Sequence, residues 1–165
     1  MANAMRTPGP TLRSPLLPLF LLLATALGAP GCGDDQDPEG AQDFLQRLRD
    51  AEYQSWQRAP GFPERRTSSA PHGDQVEIFV NDVVAAALAG GAQLDAWPVG
   101  SIVAKDGYDD DGTPALVAAM EKREDGWYWA EWDAADDTSI YSGKPATCID
   151  CHASGADSVR AFGLP

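Results

Sequence analysis

The residues with the clearest chemistry in this sequence are two cysteines and a histidine near the C-terminus. Cys148, Cys151 and His152 belong to the motif CIDCH, in which a histidine directly follows the second of two cysteines spaced three apart. This spacing is typical of haem c attachment, where each thiol adds to one vinyl group of the porphyrin and the histidine binds the iron. A disulfide-exchange pair and half of a zinc site are the alternatives, although no other cysteine lies nearby to complete a zinc site. The motif therefore predicts one covalently attached haem with His152 as its proximal iron ligand.

The chain after residue 31 has one other histidine and one methionine, the residue types that usually fill the sixth position of such an iron. Met120 falls in the middle of a predicted strand, which favours a place in the core. His72 lies in a Pro-His-Gly loop, which favours an exposed or distal place over ligation. The sequence thus predicts an open iron site, of the kind that binds and transforms small molecules.

The N-terminus has the features of an export signal. Arg6 and Arg13 precede an apolar run at 16–27, followed by small and turn-forming residues. A transmembrane anchor is the alternative, but the run is shorter than the roughly 20 residues that a spanning helix needs. Cys32 directly follows the small residues, which predicts a bacterial lipoprotein signal at 1–31 with lipid on the sulfur; ordinary cleavage nearby would instead leave a free thiol. Either outcome predicts an exported, periplasmic protein, and lipidation would hold it on a membrane.

The charge of the chain limits its partners. The formal net charge is −13, and removal of residues 1–31 takes away two arginines and no acid. Binding to nucleic acid needs a basic surface, so nucleic acid is not expected as a partner. A soluble, basic redox partner is compatible with this charge, although solubility alone also explains it.

The pattern after residue 31 predicts one α+β domain, with a few helices packed on an antiparallel β-sheet. Residues 32–40 are polar and predict a flexible tether, which leaves 41–165 as the haem-binding domain. Apolar spacing and turn residues predict helices at 43–58 and 82–88, the second capped by Asn81, and strands at 76–80, 101–105, 115–122, 127–132 and 140–142. A short helix is expected at the haem motif.

Two acidic features inside the predicted sheet allow more than one interpretation. The run GYDDDG at 107–112 suggests a calcium loop, but it lacks the further ligands of that motif, so a hairpin turn is favoured. The strand WYWAEW carries large apolar groups on both faces and should be buried on both sides. Glu131 shares a face with Trp127 and Trp129; it is a candidate distal acid-base group, although a solvated strand end is favoured.

Several stretches, in this order, resemble the cytochrome P-460 family. They cover roughly residues 41–165 and read YQSWQ, PHGDQVEIFVND, WPVGSIVAKDGYDDDG, WYWAEWD and IYSGKPATCIDCHASGADSVRAFGLP. The motif CIDCH is specific for haem c, and the order of the other stretches is more specific for the family. The resemblance implies a β-rich periplasmic haem protein with a five-coordinate iron, and it is compatible with a homodimer.

The resemblance also implies a reaction and a further site residue. Characterised family members oxidise hydroxylamine, in part through nitric oxide chemistry, and carry a bond from a lysine to the porphyrin edge. The matching lysine, at the end of SIVAK, is Lys105, and a nucleophilic amine there should have a lowered pKa. A related branch, the β-type cytochromes c-prime, binds nitric oxide behind an apolar cap. The alternative function is therefore nitric oxide binding or electron transfer without turnover.

Overall fold

A computed structural model describes residues 36–165 and the isolated Gly9. The predicted export signal at 1–31 and the predicted lipidation site Cys32 lie outside the described residues. Among the residues that the structure does describe, none belongs to a helix long and apolar enough to cross a membrane.

The described chain is an α+β domain built on one antiparallel seven-stranded sheet, which confirms the predicted fold class. The hydrogen-bonded order of the strands is β1-β3-β4-β5-β6-β7, and β2 pairs with β3 beside β1. The strands are β1 Gln57–Arg58, β2 Arg66–Thr67, β3 Gln75–Val80, β4 Ile102–Tyr108, β5 Pro114–Arg123, β6 Gly126–Asp133 and β7 Ser139–Gly143. The helices are α1 Pro38–Asp50, α2 Asp82–Gly90 and α3 Ala146–His152, with a short 3-10 turn at Tyr53–Ser55.

The first helix lies earlier in the chain than the sequence predicts. It spans Pro38–Asp50 instead of 43–58, because Asp37 caps it by accepting a hydrogen bond from Gly40 N at 3.0 Å and Pro38 starts its first turn. It ends before Glu52, whose φ of 47° is left-handed. The last residues of the predicted tether are therefore part of a packed element, and Asp37 N also donates to Ser142 Oγ at 2.9 Å.

The remaining predicted elements are present. Asn81 caps α2 by accepting a hydrogen bond from Val84 N at 3.2 Å, and Gly91 ends the helix with a φ of 63°. The GYDDDG run forms the hairpin between β4 and β5, where Asp109 N donates to Thr113 O at 2.9 Å. The CIDCH motif lies on α3, so the short helix predicted there is present. The short strands β1 and β2 and the 3-10 turn have no strong sequence pattern and were not predicted.

The sheet has an apolar layer on each face, and alternate residues of β6 belong to opposite layers. Tyr128 and Trp132 pack against α1, in the layer that contains Phe44 and Leu48. Trp127 and Trp129 pack in the opposite layer with α2 and the C-terminal segment. All four aromatic side chains of β6 are buried, with at most 7% of their surface exposed, which confirms the prediction of a strand buried on both sides. The face that carries Trp129 also carries the candidate site.

Candidate functional site

The floor of the candidate site is a row of side chains that crosses the sheet. Lys105 on β4 and Glu131 on β6 both pair in register with Ala118 on β5, the strand between them. The row continues to Ile78 on β3 and Tyr141 on β7. Neighbouring strands are about 4.8 Å apart, so the backbones of Lys105 and Glu131 are separated by roughly 10 Å. The small side chain of Ala118 leaves open space between the amine and the carboxylate.

A cavity lies over this floor, and residues of α3 form another of its walls. It has a volume of ≈ 350 Å³ and adjoins a second cavity of ≈ 370 Å³, with which it shares His72, Lys105, Met120, Cys151 and His152. Such volumes are in the range that accepts cofactor-sized ligands. The first cavity brings together all five residues that the sequence analysis assigns to the haem and its surroundings, namely Lys105, Glu131, Cys148, Cys151 and His152.

The two cysteines of the motif lie one turn apart on α3. Both line the first cavity, and they form no disulfide with each other. Cys148 packs on the apolar layer of the sheet, whereas Cys151 is exposed and accepts a hydrogen bond from Arg160 Nη1 at 3.2 Å. Residues i and i+3 of a helix lie on one side of it, so both sulfurs can reach the same flat ligand. One edge of that ligand would lie at the protein surface, beside Cys151.

His152 ends α3 with its ring held inside the cavity. Its Nδ1 donates a hydrogen bond to the carbonyl oxygen of Ser158 at 2.8 Å, which leaves Nε2 available as a metal ligand. Its ring lies edge-on to Trp129, with 4.6 Å between ring centroids. Burial lowers the pKa of His152, which favours the neutral imidazole that binds metals. The side chain is therefore prepared for the role of proximal ligand.

The loop after α3 has an unusual backbone that presents the Ser158 carbonyl to His152. Asp157 and Ser158 both have positive φ, 44° and 68°. Asp157 is held by an ion pair with Lys122 at 2.8 Å and by a hydrogen bond from Trp97 N at 2.8 Å. Non-glycine residues adopt this conformation only where the surroundings compensate for the strain. Sequence reasoning did not find this support for His152, because its members come from three distant segments.

Lys105 is an amine in a poorly solvated place. Burial lowers the pKa of Lys105 to about 8, although the nearby Glu131 opposes this change. Within the described part of the chain, no hydrogen bond holds its Nζ. The lowered pKa has the direction that the sequence analysis expects for a nucleophilic lysine, and a substantial fraction of the amine is neutral near pH 8.

Glu131 is not the solvated strand end that the sequence analysis favoured. Its side chain is only 12% exposed and lines the cavity, because Glu131 lies on the same face of β6 as Trp129. Its Oε2 accepts a hydrogen bond from His72 Nδ1 at 2.7 Å. The carboxylate is thus part of the cavity lining and is hydrogen-bonded to His72.

His72 reaches the cavity from the loop before β3. Gly107 on β4 permits this approach, since a Cβ atom there would collide with the carbonyl oxygen of His72. Gly73 has a φ of 103°, and a Cβ atom there would collide with the backbone of Tyr108; Asp74 N also donates to Tyr108 O at 2.8 Å. The His72 ring centroid lies 6.3 Å from that of His152. The sequence alone suggested a distal or exposed place for His72, and the structure shows a place inside the cavity.

Met120 has the place that the sequence analysis favoured. It is 5% exposed, in the middle of β5, and packs in the same apolar layer as Trp129. Its side chain forms part of the cavity floor one row away from Lys105. Met120 is therefore a core residue that borders the site.

The donor set and the cavity fit a covalently attached haem. One neutral imidazole, two thiols one helical turn apart and an apolar aromatic wall are the groups that such a cofactor requires. Among the residues with described positions, no cluster of three or more His, Cys, Asp or Glu side chains is arranged to hold a metal ion by itself. Comparison with family models, curated proteins and solved structures finds no match for this chain.

Proposed function

We propose that this chain is an exported mono-haem c-type cytochrome that resembles the cytochrome P-460 family and oxidises hydroxylamine or related nitrogen compounds. The observation that carries this proposal is the position of the CIDCH motif. Both cysteines and the histidine of the motif line one cavity, together with a desolvated lysine and a carboxylate. A cavity of this kind supplies both a place for the cofactor and groups that can act on a ligand.

Four residues would hold the haem. Cys148 and Cys151 would form thioether bonds, and His152 would bind the iron through Nε2 while Ser158 fixes its other nitrogen. Lys105 would bond to the porphyrin edge, a role that follows from the family resemblance and is supported by its pKa of about 8. When bound, the haem supplies an iron that withdraws electrons from a nitrogen ligand.

Glu131 would take up protons during the reaction. Oxidation of hydroxylamine releases protons together with electrons, and a base near the reacting nitrogen accelerates such a step. The Glu131 carboxylate lies in the same cavity as His152 and Lys105. Its hydrogen bond to His72 at 2.7 Å keeps one of its oxygens in place.

Electrons would leave at the exposed end of α3. Cys151 is exposed, and the neighbouring Ile149 has 42% of its surface exposed, so a haem bonded to Cys151 would have one edge near solvent. The acidic chain would attract a soluble, basic electron acceptor. Lipid on Cys32 would keep the domain at a membrane, and a fatty-acid probe that labels wild type but not Cys32→Ala would establish this anchor.

A second candidate function is nitric oxide binding or electron transfer without turnover. The observation that favours it is the position of His72, whose ring lies 6.3 Å from that of His152. An imidazole so near the proximal ligand restricts the space in which a substrate could bind. This function needs the same haem attachment but makes no use of Glu131 as a base.

Steady-state oxidation of hydroxylamine by the haem-loaded protein, with an artificial electron acceptor, tests the enzymatic proposal. We expect turnover in wild type and a loss of about 10²-fold in kcat for Glu131→Gln, because the amide cannot take up a proton. Glu124→Gln alters an exposed carboxylate away from the cavity and should keep wild-type activity. Absence of turnover in haem-loaded wild type would reject the enzyme and leave the binding or carrier function.

A further inference from the structure

We propose that His72 is the second axial ligand of the iron that His152 holds, with the two imidazoles binding from opposite sides. This inference rests on the haem site proposed above and concerns its resting state. It differs from the open site that the sequence predicts. The open site was inferred from the loop context of His72, and that context does not reveal where the loop packs.

The hydrogen bonds of the two histidines are those of metal ligands. Metal-binding histidines almost always donate the other ring N–H to a carboxylate or a backbone carbonyl, which fixes the tautomer and the ring orientation. His152 Nδ1 donates to the carbonyl oxygen of Ser158, and His72 Nδ1 donates to the carboxylate of Glu131, at 2.8 and 2.7 Å. Both Nε2 atoms are thereby left as acceptors with a lone pair. The negative charge of Glu131 also makes the His72 imidazole a stronger donor to a metal.

The separation of the two rings agrees with one shared metal ion. An imidazole nitrogen binds a metal at about 2 Å and lies about 1 Å from its ring centre, so two opposed imidazole ligands have centres roughly 6 Å apart. The observed distance between the ring centroids of His72 and His152 is 6.3 Å. The planes of the two rings meet at 64° in an edge-on arrangement, and within the described residues no hydrogen bond joins the rings.

Backbone hydrogen bonds and close packing on β4 hold the loop that carries His72 in this position. Its backbone is fastened at both ends, because Ser68 N donates to Asp74 O and Asp74 N donates to Tyr108 O, each at 2.8 Å. The absence of a side chain at Gly107 lets the His72 carbonyl lie directly on β4. His72 itself is only 18% exposed. Because these hydrogen bonds already order the loop, less conformational entropy is lost when His72 binds the iron.

A small molecule would then have to displace His72 before it binds the iron. The apparent affinity for an added ligand equals its affinity for the open iron multiplied by the fraction of protein in which His72 is detached. Removal of His72 should therefore strengthen the binding of small ligands to the iron. If His72 only lined the cavity, its removal would change this binding little.

The test uses the purified, haem-loaded full chain and three observations. A pyridine haemochrome assay first establishes covalent haem in wild type and variants. Electron paramagnetic resonance and visible spectra of the ferric form then report the spin state, and carbon monoxide titration of the ferrous form reports access to the iron. We compare His72→Ala with Asp74→Asn, which changes an exposed side chain of the same loop.

We expect low-spin ferric iron in wild type and in Asp74→Asn, and high-spin iron in His72→Ala that free imidazole returns to low spin. Carbon monoxide should bind His72→Ala at least roughly tenfold more tightly than wild type. Covalent haem with high-spin iron in wild type, unchanged by His72→Ala, would overturn this inference and leave the haem site standing. Absence of covalent haem from wild type would overturn both.

Discussion

Lys105 and Glu131 flank Ala118 across three adjacent strands, so an amine and a carboxylate share one face of the sheet with no large side chain between them. The cavity above them is bordered by the CIDCH helix. The pairing explains how one strand register presents an amine and a carboxylate to the same cavity. It also means that a shift of β5 by one residue would disrupt the cavity floor, because every side chain of β5 would change face and Ala118 would no longer lie between Lys105 and Glu131.

The first prediction concerns the bond between Lys105 and the haem. Peptide mapping of digested wild type by mass spectrometry should give one haem peptide that joins the Cys148–Cys151 segment to the Lys105 segment. Lys105→Ala should lose the third bond and have the visible spectrum of an ordinary c-type haem. Lys144→Ala, which removes a lysine that pairs with Asp125 and does not line the cavity, should retain the bond. Recovery of Lys105 on an unmodified peptide would reject the cross-link.

The second prediction concerns the pH dependence of stability in protein without haem, where Lys105 can titrate. The pKa of Lys105 in the native state, about 8, lies below the ordinary lysine value of 10.5 that applies to the unfolded chain. Between these two pH values the unfolded state therefore holds more protons than the native state. Stability should therefore rise with pH, by about 1 kcal/mol between pH 7 and pH 9. Urea unfolding would measure the stability of two proteins. The first carries Cys148→Ala and Cys151→Ala, and the second carries Lys105→Met in addition. The free energy of unfolding of the first variant minus that of the second should rise with pH. A difference that stays constant or falls contradicts the lowered pKa of Lys105.

The third prediction concerns Asp157, which positions the carbonyl that orients His152. Asp157→Ala leaves Lys122 and Trp97 N without their acceptor in a partly buried place and should lower the free energy of unfolding by about 2–4 kcal/mol. A weaker hydrogen bond from His152 to Ser158 should also raise the reduction potential of the bound haem. Asp157→Asn retains an acceptor and tolerates positive φ, so it should lose less stability.

Asp150→Ala serves as the control, because it removes an exposed carboxylate from α3 itself. Urea unfolding and a redox titration of the haem-loaded proteins measure both effects. If Asp157→Ala and Asp150→Ala have equal reduction potentials, Asp157 has no influence on the proximal ligand.

Much of the sheet could be predicted because its signals are local. The large apolar residues on both faces of WYWAEW, the turn residues of GYDDDG and the capping Asn81 each act within a few residues. The predicted position of the first helix, 43–58, is wrong for a local reason as well. Its start signal, Asp37 followed by Pro38, lies in a polar acidic segment that resembles a tether, and the apolar face begins only three residues later.

The site could be predicted only in part. CIDCH is a local motif, so the candidate haem-binding residues can be identified without the fold. The contact between His72 and Glu131 joins residues 59 positions apart, and it depends on Gly107, which has no motif that identifies its partner. The support for His152 from Asp157, Lys122 and Trp97 is equally non-local. Such contacts follow from strand register and loop packing, which single-sequence patterns do not determine.

Covalent haem attachment at Cys148 and Cys151 is the claim on which the other proposals depend, and intact-protein mass spectrometry after extraction with acidified solvent tests it most directly. We predict that denatured wild type keeps the mass of one haem, that Cys148→Ala with Cys151→Ala loses it, and that Cys32→Ala retains it. Wild-type protein that releases all its haem to the solvent, or never carries any, would contradict the account.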